Sequence, residues 1–235
     1  MRPYFFPYLG YFGLINYSDQ WIVFDTVQYI KGGLINRNRI LHPNEDWQYI
    51  TVPLKKYKSD AKIKDVVISD NLNWKERILR QILHYKQYAP NFGETYELVE
   101  ECLEVEVPFI SKINISILEK LCKYIDIPFQ YSYLSEMDLK LGPVGGPDEW
   151  ALRISEALGA TEYANPSGGR SFFHSDKFER LNIKLTIYET TPIKYYCNRY
   201  EYIPNLSIVD VLMWNPPGII KAYLDNYREY WIDYK

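Results

Sequence analysis

Asn36-Arg37-Asn38-Arg39 gathers two amides and two guanidinium groups into four consecutive residues. Successive side chains of an extended segment point to opposite sides, so Arg37 and Arg39 share one face and Asn36 and Asn38 the other. A guanidinium fork suits bidentate contact with phosphate or carboxylate, and amides suit sugar hydroxyls. The plain alternative is an exposed strand entry with solvated charges. It is balanced here by the nearness of Gln28, Lys31 and a dense aromatic block at residues 1–12. That block is interrupted by Pro3, Pro7 and Gly10, which rules out one regular helix throughout. It reads as a core anchor or as a ligand loop in which Tyr8 and Tyr11 form a stacking wall and Gly10 permits close approach. With the amides and cations, it points to a polar, phosphorylated or sugar-like ligand.

Asp25 ends the apolar run Trp21-Ile-Val-Phe. At a strand end it could orient a hydroxyl, hold magnesium, act as a base, or cap the next turn. Ser167-Gly168-Gly169-Arg170-Ser171 offers backbone N–H groups and a cation to an anion, but without the spacing of a phosphate-binding P-loop. His174 follows it and is the histidine chosen for acid/base work. Asp210 sits on an otherwise apolar helix face, where the expectation is an Arg or Lys partner. Cys102, Cys122 and Cys197 form no Cys-x-x-Cys pair, and His42, His84 and His174 are scattered, so no metal site is expected. Cys102 and Cys122 read as buried hydrophobes, and Cys197 as the same rather than a nucleophile.

The elements that must position these groups alternate. Short strands are expected at 21–25, 37–41, 47–52, 63–68, 129–134 and 183–188, with 37–41 and 47–52 forming a hairpin. Lys55-Lys-Tyr-Lys58 is a basic loop after the hairpin, before the strand at 63–68. Over 73–125 the period becomes helical, with Trp74, Ile78, Ile82 and Tyr85 on one face. Further helices are expected at 148–158, at 175–181 and from 207 onward, with a Pro216-Pro-Gly break before the last. This predicts one α/β domain over 1–235: a mainly parallel layered sheet flanked by helices, with an inserted β-hairpin and a helical segment. Ligands of such sheets lie beyond the carboxyl ends of the strands, so Tyr8, Asp25, Asn36 and Arg37 are expected on one wall of a cleft, with Gly168, Gly169 and His174 opposite. The 235 residues carry a net charge of −3, which argues against a nonspecific nucleic-acid binder. No apolar run reaches the length of a membrane span and no signal peptide is evident, so a cytoplasmic protein without membrane insertion is expected.

Three blocks together resemble the WbqC-like family: residues 2–12 with Asp25 to Ile40, then Asn165-Pro-Ser-Gly-Gly, then Pro204-Asn-Leu-Ser-Ile-Val-Asp210. They span nearly the whole chain. In the family pattern a Gln usually stands at the position of Arg2, and a few strand residues precede it. The family is associated with gene clusters for O-antigen and other surface polysaccharides. The resemblance therefore implies a role in making a sugar, with a nucleotide-linked amino sugar as substrate. A fainter similarity links the early segment to the Rossmann-like nucleotidyltransferase and pantothenate synthetase superfamily. Tyr8-Leu-Gly10-Tyr11 stands where that superfamily has His-x-Gly-His. By that analogy the protein would activate a carboxylate, with ATP and magnesium as cofactors, and pass the acyl or aminoacyl group to the sugar amine. Arg37 and Arg39 would contact phosphate, Asn36, Asn38 and Gln28 the sugar hydroxyls, Gly168, Gly169 and Arg170 an anionic group, and Asp25 or His174 the amine proton. The competing readings are a glycosyltransferase, although no Asp-x-Asp occurs, and a noncatalytic sugar-binding or assembly protein.

Overall fold

The computed structural model describes residues 1–70, 73–189 and 192–226. Its organising feature is the aromatic start of the chain, which is core. Phe5, Phe6, Tyr11 and Phe12 are completely buried, and helix α1 (Leu9–Tyr17) is enclosed from Leu9 to Asn16. A helix apolar on all sides belongs inside, as its residues require. The segment before it cannot form a regular element. Phe6 adopts a left-handed φ of 39° between the neighbouring prolines' constraints.

Buried backbone carbonyls must find donors, and side chains distant in sequence supply them. Asn38 Nδ2 donates to Phe6 O at 2.8 Å and Phe5 O at 3.2 Å. Asn114 Nδ2 donates to Pro3 O at 3.0 Å and Ile35 O at 2.7 Å. Ser207 Oγ donates to Phe6 O at 2.8 Å, and the Ile208 amide to Pro7 O at 2.8 Å. Helix α4 (Ile110–Ile125), which carries Asn114, ends at Asp126 in the left-handed conformation, just before Pro128.

Three two-stranded pairs complete the strands described. β1 (Trp21–Val23) runs parallel to β4 (Tyr131–Tyr133), with Trp21 opposite Tyr131. β2 (Arg37–Leu41) and β3 (Trp47–Thr51) form the antiparallel hairpin, with Arg39 opposite Tyr49. β5 (Glu162–Pro166) runs parallel to β6 (Lys184–Tyr188). The fold is therefore mixed α/β with helices flanking short strand pairs. The expected parallel pairing is present, but among the described residues the strands do not join into one layered sheet. The strand expected at 63–68 is a 3-10 turn, Ile63–Asp65, followed by isolated bridges. Its backbone is spent on other partners: the Ile63 amide donates to Val27 O and the Lys64 amide to Asp25 O.

Helix α2 (Trp74–Ile82) and the 3-10 turn after it bury Trp74, Ile78, Ile82 and Tyr85, the face read from the sequence. Helix α3 (Phe92–Leu103) and α4 complete this helical part. Helix α5 (Glu149–Ala157) and α6 (Ser175–Glu179) cover β5 and β6 around a small core of Leu152, Phe178 and Ile183. Helix α7 (Ile208–Trp214), fully buried, is capped by Ser207 Oγ, which accepts from the Val209 amide. The last described helix, α8, runs Pro217–Asn226. The expected continuation toward residue 235 lies outside the described residues. No described helix is long and apolar enough to cross a membrane.

The asparagine clamp makes a prediction. Asn38→Ala removes the side-chain donor from the Phe5 carbonyl and leaves Phe6 O with Ser207 Oγ, and should cost about 2–4 kcal/mol. Urea unfolding of the two proteins reads this directly, and a midpoint equal to wild type would contradict it.

Candidate functional site

The arginine face lies where its alternation places it. Along β2, Arg37 and Arg39 are half-buried on one side while Asn38 is buried on the other. The Arg37 guanidinium carbon stands 4.0 Å from the Tyr49 ring centroid and that of Arg39 5.2 Å from Trp47. The two rings meet edge-to-face at 4.8 Å. Cation–π contact of this kind holds the guanidinium planes in place without consuming their N–H groups. Arg37 Nη2 donates to Gly32 O at 2.5 Å, across a turn that Gly32 makes with φ 82°. Arg39 Nη2 reaches Asn205 O at 3.5 Å. The Ser207 amide donates to Arg39 O at 2.8 Å, so the Pro204–Asp210 block braces the hairpin from behind.

The amides expected to read a sugar are engaged with the protein. Asn36 accepts from Tyr29 OH at 2.6 Å and donates to Val52 O at 2.9 Å. Asn38 holds the N-terminal segment, and Gln28 Nε2 donates to Ser59 O at 2.7 Å. Tyr11 is enclosed and its hydroxyl donates to Arg2 O at 2.8 Å, so it has no open face for stacking. Tyr8 is half-buried and bridges Ser207, while Gly10 is buried in α1. The aromatic block is the core anchor rather than the ligand wall.

Asp25 is 1% exposed and accepts from Ser135 Oγ at 2.6 Å and the Ser135 amide at 3.1 Å. It ties the end of β1 to the turn after β4, a long-range tie in place of the expected cap on its own next turn. Gly168 and Gly169 follow β5, in a different strand pair. A side chain at Gly169 would run into the Asn165 amide, so glycine there answers a packing need, whereas Gly168 faces open space. Arg170 pairs with Glu189 at 3.2 Å. His174 is exposed at the start of α6. Of the two alternatives for the amine proton, Asp25 is sealed beneath Ser135 and His174 stands on the surface.

Asp210 was legible as an anomaly, but its partners are not cations. It is 1% exposed and accepts from Tyr85 OH at 2.5 Å and Tyr195 OH at 2.6 Å. Tyr85 OH itself accepts from the Leu41 amide at 2.9 Å. The network thus joins the helical part, the hairpin, α7 and the 192–206 segment. Neutral phenols suffice because they satisfy the oxygens without burying a second charge. Their positions, far from Asp210 in sequence, left no local signal. The three cysteines are buried; burial pushes the Cys102 and Cys197 thiols up to about 12, which removes Cys197 as a nucleophile at neutral pH. No group of three or more His, Cys, Asp and Glu able to hold a metal occurs among the described residues.

Burial raises the Asp210 carboxyl to about 6, against the two tyrosine hydrogen bonds that lower it. A folded pKa above the unfolded one means the native state binds this proton more tightly. Its stabilisation is full below the unfolded pKa and is lost as pH rises through the folded value. The loss amounts to about 3 kcal/mol at most, between roughly pH 4 and pH 7. Asp210→Asn should remove that component. The difference between wild-type and variant unfolding free energies, followed across this window, should change with pH; a constant difference would contradict the assignment.

A family model described as WbqC-like protein family matches residues 2–222. A relative from Mycobacterium tuberculosis (strain ATCC 25618 / H37Rv), "Uncharacterized protein Rv1507c", is 28% identical over 211 residues, covering 88% of this chain and 89% of that protein. No solved structure matches.

Proposed function

Because the chain belongs to the WbqC-like protein family, we propose that it acts in surface-polysaccharide sugar biosynthesis, on a nucleotide-linked amino sugar that it N-acylates or aminoacylates. The observation that carries the reading is the outer face of the hairpin, where Arg37 and Arg39 are propped on Tyr49 and Trp47. Guanidinium forks there take the diphosphate, and the aromatic rings take the apolar face of a sugar or base. In the reaction the neutral amine attacks the acyl carbonyl of an activated donor. The new N–C bond forms, the donor's leaving group departs with its electron pair, and one amine proton is released. Asp25 does not receive that proton, since it is enclosed and bonded to Ser135. His174, at the start of α6, is exposed to solvent and is the group proposed to take it.

A carboxylate donor requires prior activation, which ATP with magnesium would supply as co-substrate. The assay therefore carries ATP and magnesium as a separate arm beside preactivated donors. Noncatalytic binding of the same nucleotide sugar is the second reading, and the enclosure of Asp25 against Ser135 favours it.

Purified protein is incubated with a panel of nucleotide amino sugars and acyl or aminoacyl donors, and product masses are read. An acyl mass added to the sugar supports the enzyme; binding without a mass change supports the second reading. Transfer of a whole sugar to an acceptor selects a glycosyltransferase. Arg37→Ala with Arg39→Ala should weaken nucleotide-sugar binding by about tenfold to a hundredfold while the melting temperature stays near wild type. Unchanged affinity in that folded variant would remove the hairpin face from the proposal.

A further inference from the structure

The arginine face does not account for a second concentration of positive charge. The loop after β3, noted in the sequence as Lys55-Lys-Tyr-Lys58, folds with residues 60–67 around an open groove of about 640 Å³. Lys55, Lys56, Lys58, Lys62 and Lys64 line it, with Asp60 and Asp65 as the acidic groups. Lys55 is shared with Asp70 at 3.6 Å, both exposed. Among the described residues, Lys56, Lys58, Lys62 and Lys64 form no ion pair. Crowding like charges around one hollow raises the energy of the empty groove, and a multivalent anion relieves it.

The groove is held by its backbone. The Ala61 amide donates to Lys58 O at 3.0 Å, the Lys55 amide to Val67 O at 2.9 Å, and the Lys64 amide to Asp25 O at 3.0 Å. The Tyr29 amide donates to Ala61 O at 2.8 Å, fixing the far side. Tyr57, half-buried, lines the groove and packs edge-on against Tyr29 at 5.0 Å. Lysine side chains are flexible point charges, suited to spreading over several phosphates. The volume lies within the range of small-molecule sites.

We infer that this groove binds a small polyphosphate anion, a nucleoside polyphosphate or the inorganic chain, held by Lys56, Lys58, Lys62 and Lys64. The inference stands apart from the arginine face, and either can fail without the other.

Calorimetric titration of the full chain with tripolyphosphate, ATP and ADP at low salt is the test. Tripolyphosphate should bind, and more weakly as salt is raised. With Arg37→Ala and Arg39→Ala already in place to remove the hairpin face, the added triple variant Lys56→Ala, Lys58→Ala, Lys62→Ala should lose about tenfold or more in affinity, whereas Lys123→Ala, at an exposed lysine of α4, should not. Thermal melts verify that each variant folds, with Lys58→Glu serving if the triple variant does not. ATP binding tighter than tripolyphosphate, with the advantage lost in Tyr57→Ala, identifies a nucleoside polyphosphate; equal binding identifies the inorganic chain. No binding of any of the three overturns the inference. So does binding that survives the lysine substitutions, or displacement of tripolyphosphate by a short single-stranded oligonucleotide at lower concentration.

Discussion

An unpaired backbone buried in an apolar core must be given hydrogen-bond partners, and this molecule is arranged around that requirement. Pro3 and Phe5 to Pro7 are buried without belonging to a helix or a sheet. Pro3 and Pro7 lack the amide that regular pairing would use. Their carbonyls and those between them would each be costly if left alone. Asn114, Asn38, Ser207 and the Ile208 amide supply the donors. They come from three separate elements, so the N-terminal segment forms only when α4, the hairpin and the start of α7 are in place around it.

This constraint explains why motif blocks far apart in sequence meet. Asn38 faces inward to hold Phe5 and Phe6, and the strand's alternation then turns Arg37 and Arg39 outward. The same strand is thus fixed by one set of side chains and presents another. Ser207 serves both sides: its hydroxyl reaches Phe6, while its amide bonds Arg39 O. Asp210, one turn further on, binds Tyr85 and Tyr195 and so links α7 to the helical part. A carboxylate held by phenols rather than cations leaves the interior with an ionisable group whose charge follows pH.

Tyrosine abundance has the same physical root. A ring that packs as a hydrophobe and ends in a donor can bind buried oxygens without importing charge. Tyr11, Tyr29, Tyr85 and Tyr195 all donate inward, to Arg2 O, Asn36, Asp210 and Asp210 respectively. Such residues serve the interior, unlike Tyr49 on the hairpin's outer face and Tyr57 at the lysine groove.

The sequence by itself determined the elements whose pattern is local: the hairpin, the buried face of α2, the helical stretch and the opposition of Arg37 and Arg39 to Asn38. These follow from periodicities of 2 and 3.6 residues, which neighbours alone decide. It also exposed Asp210 as an acid in an apolar face and Lys55 to Lys58 as a basic loop. Tertiary structure decided the rest, because hydrogen-bond partners across the chain carry no sequence pattern. It made Tyr11 core instead of a stacking wall, spent the amides of Asn36 and Asn38 on the protein, and set Asp25 beneath Ser135. It also placed Asp25 and Gly169 on separate strand pairs, since β1 with β4 and β5 with β6 do not merge into one sheet. An extended run of apolar residues specifies that a strand is buried, but only the packed chain specifies which strand lies beside it.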